Sequence, residues 1–293
     1  MNKSKTSLKG VFILLITALI WGASFVSQSV GAESVQPFTF MGIRTLMGAI
    51  VLVPFILITK RTVNLKTIKK GAIMGIFLCI ATNLQQYAFY YSTAGKIAFC
   101  TATYMFLIPV AGLFLRKKEP FVTWLCVLMG FAGLYFLCFK GGDDFSINKG
   151  DVLSLICAVF FTCQILCIEK FTEECDGVVL SCVQFFTAGI ITIILMVIFE
   201  KPEWHAIKSA GTALLYSGLM SCGIAYTLQV VGQKYCEATI ASLIMCMESV
   251  FAVISSAIIL HEKLSGREII GCIIMFTAIV ISQVYPMLKN RRI

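Results

Sequence analysis

Charge is scarce in this 293-residue chain: Asp, Glu, Lys and Arg make up 13% of it, about half the share found in a typical soluble domain. No polar stretch is long enough to fold into a domain of its own, because the gaps between apolar runs reach only about ten residues. A water-soluble globular enzyme is therefore excluded. Catalytic signatures are missing too. There is no glycine-rich loop to cradle phosphates and no H-E-x-x-H, and the two histidines, His205 and His261, stand near the ends of apolar runs. ATP-driven pumping by this chain alone is thereby excluded, and no cofactor is expected. No nucleic-acid motif appears. The net charge of +9 arises from 24 Lys and Arg against 15 Asp and Glu, and these lie in short clusters between apolar runs, a pattern that reads as membrane orientation rather than a polyanion partner. Thirteen cysteines, an odd number, fall almost all in apolar segments, so they read as small hydrophobes rather than a disulfide framework. Cys163 and Cys167 share a helix face, yet they lack His or acidic neighbours at ligand spacing, and no metal site is expected.

What is present is apolar length: 58% of the residues are hydrophobic and the mean hydropathy is +0.90. A bilayer core about 30 Å thick needs roughly 20 apolar residues as helix. The pattern supplies ten such spans, at 8–28, 38–58, 70–91, 95–115, 120–139, 150–168, 177–199, 209–232, 238–260 and 266–286. The first has the basic lead-in of a signal peptide (Lys3, Lys5, Lys9), but its apolar run is too long for an ordinary cleaved segment and reads as a retained helix. With the N-terminus in the cytoplasm, the inner segments hold sixteen Lys and Arg and the outer segments seven, leaving Arg44 inside a span. That asymmetry places both termini in the cytoplasm of a multi-pass protein of the plasma or inner cell membrane.

Sliding the chain along itself by about 140 to 145 residues reveals a repeat. Lys9-Gly10 meets Lys149-Gly150, Leu84-Gln85 meets Leu228-Gln229, and Tyr91 and Ala94 meet Tyr235 and Ala238. Each half, 8–140 and 149–286, then has five spans. Because five is odd, the second copy crosses in the opposite sense. The expected fold is all-α, with ten transmembrane helices as two inverted five-helix repeats that exchange conformations around one fixed site.

Several segments carry a resemblance. Ile20-Trp21-Gly22-Ala23-Ser24-Phe25, Arg44-Thr45-Leu46-Met47-Gly48-Ala49, the run from Ser92-Thr93-Ala94-Gly95-Lys96 to Leu107-Ile108-Pro109-Val110, and Met247-Glu248-Ser249-Val250-Phe251-Ala252 before His261-Glu262-Lys263-Leu264-Ser265 resemble EamA-type permeases of the drug/metabolite transporter superfamily. The resemblance covers nearly the whole chain and implies a ten-helix transporter, working outward, with a cavity lined by helices 1, 3, 4, 6, 8 and 9 and with helices 5 and 10 peripheral. Two departures stand out. Ser249 replaces the Pro that often follows the Glu, which bears on how helix 9 bends, and Arg116-Lys117-Lys118 delays the acid to Glu119.

Polar groups are costly in hydrocarbon, so those inside spans face a cavity or a helix partner. On helix 1, Thr17, Trp21, Ser24 and Gln28 form one stripe; helix 3 offers Asn83, Gln86 and Tyr90, helix 6 Gln164, and helix 8 Ser221, Ala225, Gln229 and Gly232. These read as pathway walls, with helix packing as the plainer alternative, which Gly71 and Gly75 favour as a small-xxx-small pair. Glu248, about ten residues into helix 9, is the candidate for substrate contact and for coupling, since its protonation can differ between two access states. Its plainer alternative is a hydrogen-bonded tie between helices. Arg44, the intramembrane charge, is shallow enough to snorkel and reads as structural or topological. Lys96 reads as an anchor at the outer face. The expected function is secondary transport of a small organic metabolite: an amino acid, nucleoside, sugar or drug-like compound. The partners are that solute and the lipid bilayer, with a homodimer left open. The alternatives are an integral-membrane enzyme or receptor without transport activity, and a purely structural membrane protein.

Overall fold

The computed structural model describes residues 7–116, 119–138, 147–259 and 265–290. Predicted features at Lys3, Lys5, Lys117, Lys118, Lys140, His261, Lys263, Arg291 and Arg292 lie outside the described residues, as do the predicted span ends at 139 and 260. All regular structure among the described residues is helical. The order is α1 (Leu8–Ser34), α2 (Pro37–Ile58), α3 (Leu65–Ala88), α4 (Ala94–Thr101), α5 (Tyr104–Phe114), α6 (Phe121–Cys138), α7 (Lys149–Phe171), α8 (Gly177–Phe199), α9 (Trp204–Ser209), α10 (Gly211–Leu215), a π-helix (Tyr216–Tyr226), α11 (Thr227–Gln233), α12 (Ala238–Met245), α13 (Met247–Ile259) and α14 (Gly266–Asn290). Nine helices, counting α4 with α5, α10 through α11, and α12 with α13 as one each, are long and apolar enough to cross a membrane among the described residues. α14 is a further helix of 25 residues. The protein is a multi-pass membrane protein, and its outward faces fit hydrocarbon: large apolar side chains such as Ile58, Phe114, Phe121 and Phe199 are well exposed.

Four predicted spans differ from the helices that form. The first runs on to Ser34, because no breaker intervenes before Val35, and Pro37 then starts α2 at once with its φ already helical. The third starts at Leu65 instead of 70, since Asn64 caps it by accepting from the Thr67 amide at 2.8 Å and three lysines ride on its first turns. It ends at Ala88, leaving Tyr90 and Tyr91 beyond it. The fourth and ninth are each broken in two, at Ala102–Thr103 and at Cys246. Those two breaks sit in the same repeat register, Ala102 and Cys246 being 144 residues apart.

Contacts between loops sort into two ends. At one, the Ser7 amide donates to the Tyr235 carbonyl at 3.0 Å, Arg61 pairs with Asp176, Lys66 and Lys70 pair with Glu174, and Thr239 donates to Glu119 at 2.8 Å. At the other, Glu200 accepts from the Phe38 and Thr39 amides at 2.8 and 2.7 Å, and Ser92 donates to Asp151 at 2.6 Å. Because the start of α2 meets the end of α8, and the segment after α2 meets the Asp176 cap of α8, the two helices run antiparallel. They are repeat counterparts. α6 and α14, the counterparts at the periphery, touch through Gly133 and Gly271: a Cβ at Gly133 would stand 3.0 Å from the Gly271 carbonyl oxygen, and one at Gly271 2.8 Å from that of Gly133.

Candidate functional site

Between the two helix breaks lies a partly open cavity lined by residues of both halves. Its walls come from the first, third, fourth, sixth, eighth and ninth helical legs, as the resemblance implied, and in addition from α2 through Arg44. Ten of the fourteen lining residues form repeat pairs. Gln85 and Gln229, Thr101 and Met245, and Tyr104 and Glu248 are each 144 residues apart, while Trp21 and Phe161, and Phe25 and Ile165, are each 140 apart. The cavity is thus assembled by the two halves from matching positions.

Trp21, Gln28, Gln229 and Glu248 of the predicted pathway residues line this cavity. The Trp21 indole packs edge-on to Tyr226, with centroids 4.6 Å apart, and its Nε1 has no protein partner, nor has Gln229 Oε1. Gln28 donates to the Ser24 carbonyl at 3.5 Å. Glu248 is 7% exposed and stands in the first turn of α13, immediately past the break. There the unsatisfied amides and the macrodipole favour a negative charge.

The other predicted residues lie off the cavity wall. Thr17 donates to the Ala225 carbonyl at 3.4 Å, tying α1 to the π-helix. Asn83 donates to Thr192 at 2.8 Å, tying α3 to α8. Gln86 donates to the Gln28 carbonyl at 3.3 Å, Gln164 donates to Gln184 at 3.3 Å, and Ser24 is buried away from the cavity. Tyr90 is half-exposed beyond α3, edge-on to Tyr87 at 5.6 Å. The α3 residue that lines the cavity is Gln85. Its neighbour Gln86 points a helical step away, toward α1. A signal for Gln85 was present in the sequence, for it matches Gln229 in the repeat; Tyr104 matches Glu248 in the same way. Gly71 and Gly75 do serve packing, since a Cβ there would run into Val183 and Thr187 of α8.

Arg44 corrects the snorkelling expectation. It is 2% exposed and its head stays inside, where Cys222 Sγ accepts from Nε at 3.4 Å and Ser221 Oγ from Nη2 at 3.5 Å. The Phe40 ring centroid lies 5.9 Å from its Cζ, a cation–π contact. Nη1 has no protein partner. No ion pair joins Arg44 to Glu248 among the described residues. Among the described residues no group of His, Cys, Asp and Glu could hold a metal ion.

A membrane protein with a cavity built by two matching halves belongs, as a class, with transporters, and comparison with known proteins gives the same class. The EamA-like transporter family matches residues 8–139 and 148–283. The chain belongs to that family. An uncharacterized transporter of Archaeoglobus fulgidus is 28% identical over 272 residues, covering 92% of this chain and 83% of that one. The threonine/homoserine exporter RhtA of Salmonella typhimurium is 22% identical over 267 residues, covering 89% and 88%. A solved crystal structure superposes with a TM-score of 0.80 over 95% of this chain and 97% of that chain, at 16% identity.

Proposed function

We propose that the protein is a secondary transporter that exports a small amino acid across the plasma or inner cell membrane. It works by alternating access of two inverted five-helix repeats, 8–140 and 149–286, with α14 as the tenth crossing and both termini in the cytoplasm. The cavity is the substrate site, with Trp21, Gln28, Gln229 and Glu248 on the pathway and Glu248 as the coupling group. The antiparallel run of α2 and α8 supports the inversion, and the two separately matched segments support the halves. Export is supported by the likeness to RhtA.

The observation that carries the substrate class is the set of cavity groups without protein partners. Trp21 Nε1 and Arg44 Nη1 are donors, and Gln229 Oε1 is an acceptor. Glu248 adds a carboxyl to the same wall. A carboxylate compensates the Arg44 guanidinium and accepts from Trp21, and an ammonium donates to Gln229 and Glu248, so a zwitterion fits the whole set. A sugar or a cationic drug would leave the Arg44 charge uncompensated, at a cost of several kcal/mol for a buried ion. The test is flux into vesicles reconstituted with the pure protein, using a panel of amino acids, nucleosides, sugars and cationic drugs. Saturable flux of an amino acid is expected. Flux of the other classes alone overturns the substrate class, and no flux of any member overturns transport itself.

A further inference from the structure

A cavity assembled from repeat positions is arranged about a pseudo-two-fold axis, so an asymmetric solute is oriented by the residues that differ between the halves. Four lining residues break the match: Gln28, Arg44, Ser221 and Tyr226. At the same offsets the other half has Ile168, Gln184, Phe77 and Thr82, none of which lines the cavity. One corner is therefore polar with no counterpart on the opposite wall, and Arg44 is its charge.

Arg44 is held by the π-helix. A π segment hydrogen-bonds with i→i+5 spacing and is rare, and its wider turn spreads successive side chains less around the axis than an α turn does. Here it presents two neighbours, Ser221 and Cys222, to the same guanidinium at 3.5 and 3.4 Å. The approach needs Gly48 of α2, where a Cβ would stand 3.2 Å from the Cys222 backbone carbon and 3.2 Å from the Gly223 amide nitrogen. With Nε and Nη2 occupied, Nη1 is the nitrogen left for a solute.

We infer that Ser221 and Cys222 are positioning residues that aim Arg44 Nη1, so that a solute's carboxylate docks in one orientation, away from the pseudo-two-fold axis. This inference rests on the reading of the cavity as the amino-acid site. Freed of its two partners, the guanidinium would turn among rotamers, and a flexible cation binds a carboxylate less selectively than a fixed one.

The experiment measures vesicle flux of L-threonine and its inhibition by L-threoninamide, which lacks the carboxylate. The wild type is expected to favour the acid over the amide by about tenfold or more, as a site built around a charge-assisted hydrogen bond does. Ser221→Ala and Cys222→Ala each raise KM for threonine several-fold, keep the maximal rate within about twofold, and leave inhibition by the amide unchanged. Cys222→Ser keeps an acceptor at Nε and retains wild-type discrimination. A merely structural role weakens acid and amide in parallel and makes Cys222→Ser behave like Cys222→Ala; either result overturns the inference. A wild type that carries threonine without preferring it to the amide also overturns it, while leaving transport intact. Absence of any amino-acid flux overturns the site reading first and the inference with it.

Discussion

Glu248 and Tyr104 occupy the same register in the two halves, yet only the first can carry a full charge, so any proton linkage in the cavity falls on one side of the repeat. If transport is proton-linked, Glu248→Gln, which keeps the shape of the neutral acid, is expected to flatten the pH profile of net flux while substrate exchange persists. A mutant that keeps the wild-type profile would make Glu248 a tie between helices. Glu174 does not confuse that reading, because Lys66 and Lys70 hold it down to about 2, below any pH at which flux is measured. How the sequence shows these residues is instructive. Helical spacing identified polar stripes, but it fixes positions only relative to their own helix. The rotation of α3 against α1 and α8 decides that Gln85 meets the cavity while Asn83 and Gln86 meet neighbouring helices, and that rotation is set by the long-range glycine contacts at Gly71 and Gly75.

The two broken helices also differ in how closely each meets its neighbour. Gly22 of α1 lies against α13: a Cβ there would stand 2.7 Å from the Ala252 amide nitrogen and 2.8 Å from the Glu248 carbonyl oxygen. Those are backbone atoms, which cannot step aside as a flexible side chain can. Its counterpart in the second half is Thr162, whose hydroxyl instead donates to the Ala158 carbonyl at 2.8 Å. Of these two matched positions, only the one in α1 is built for close approach, to α13 on the outer side of Glu248 in the proposed orientation. Gly22→Ala is expected to part these helices and shift the population toward the outward-open state, since packed interfaces switch between discrete arrangements rather than deform smoothly. The readout is labelling of Phe25→Cys by an external, impermeant maleimide in a background freed of reactive native thiols. Faster labelling in the Gly22→Ala variant is the expected result, and an unchanged rate would show that this contact does not hold the outer side closed. The breaks themselves had no sequence signal. Neither Gly nor Pro stands at Ala102, Thr103 or Cys246, whereas Pro54 lies inside the unbroken α2 and Pro109 inside α5, past the break, and the π-helix gave no departure from apolar periodicity.

At the scale of the whole molecule the sequence was most legible, because crossing a bilayer demands length and apolarity that composition records directly, and because loop charge and loop contact sort the same way. The end that gathers Arg61, Lys66 and Lys70 is the basic end, and its ion pairs span a definite pH window. Glu174 sits below its ordinary 4.5, so its stabilisation is complete above that value and is lost only as pH falls toward about 2. The stability difference between wild type and Glu174→Gln is therefore expected to stay constant in thermal unfolding from about pH 5.5 to 8.5 and to shrink at high salt, because these groups are exposed and screened. A difference that grows on crossing neutral pH would place another titrating group at this end. The same end holds the start of α1, through the Ser7 bond to Tyr235, and sixteen of the 24 Lys and Arg fall on its side when that side is the cytoplasm. Positive charge is retained inside during insertion, so both termini are expected there. Epitope tags at Met1 and Ile293 should resist external protease in intact cells and become cleavable once the membrane is opened, while a tag in the Glu200–Glu203 segment should be cut from outside. Cleavage of one terminus from outside would require an odd number of crossings and remove the inverted repeat; cleavage of both would reverse the molecule, and with it the side on which Gly22 closes the cavity.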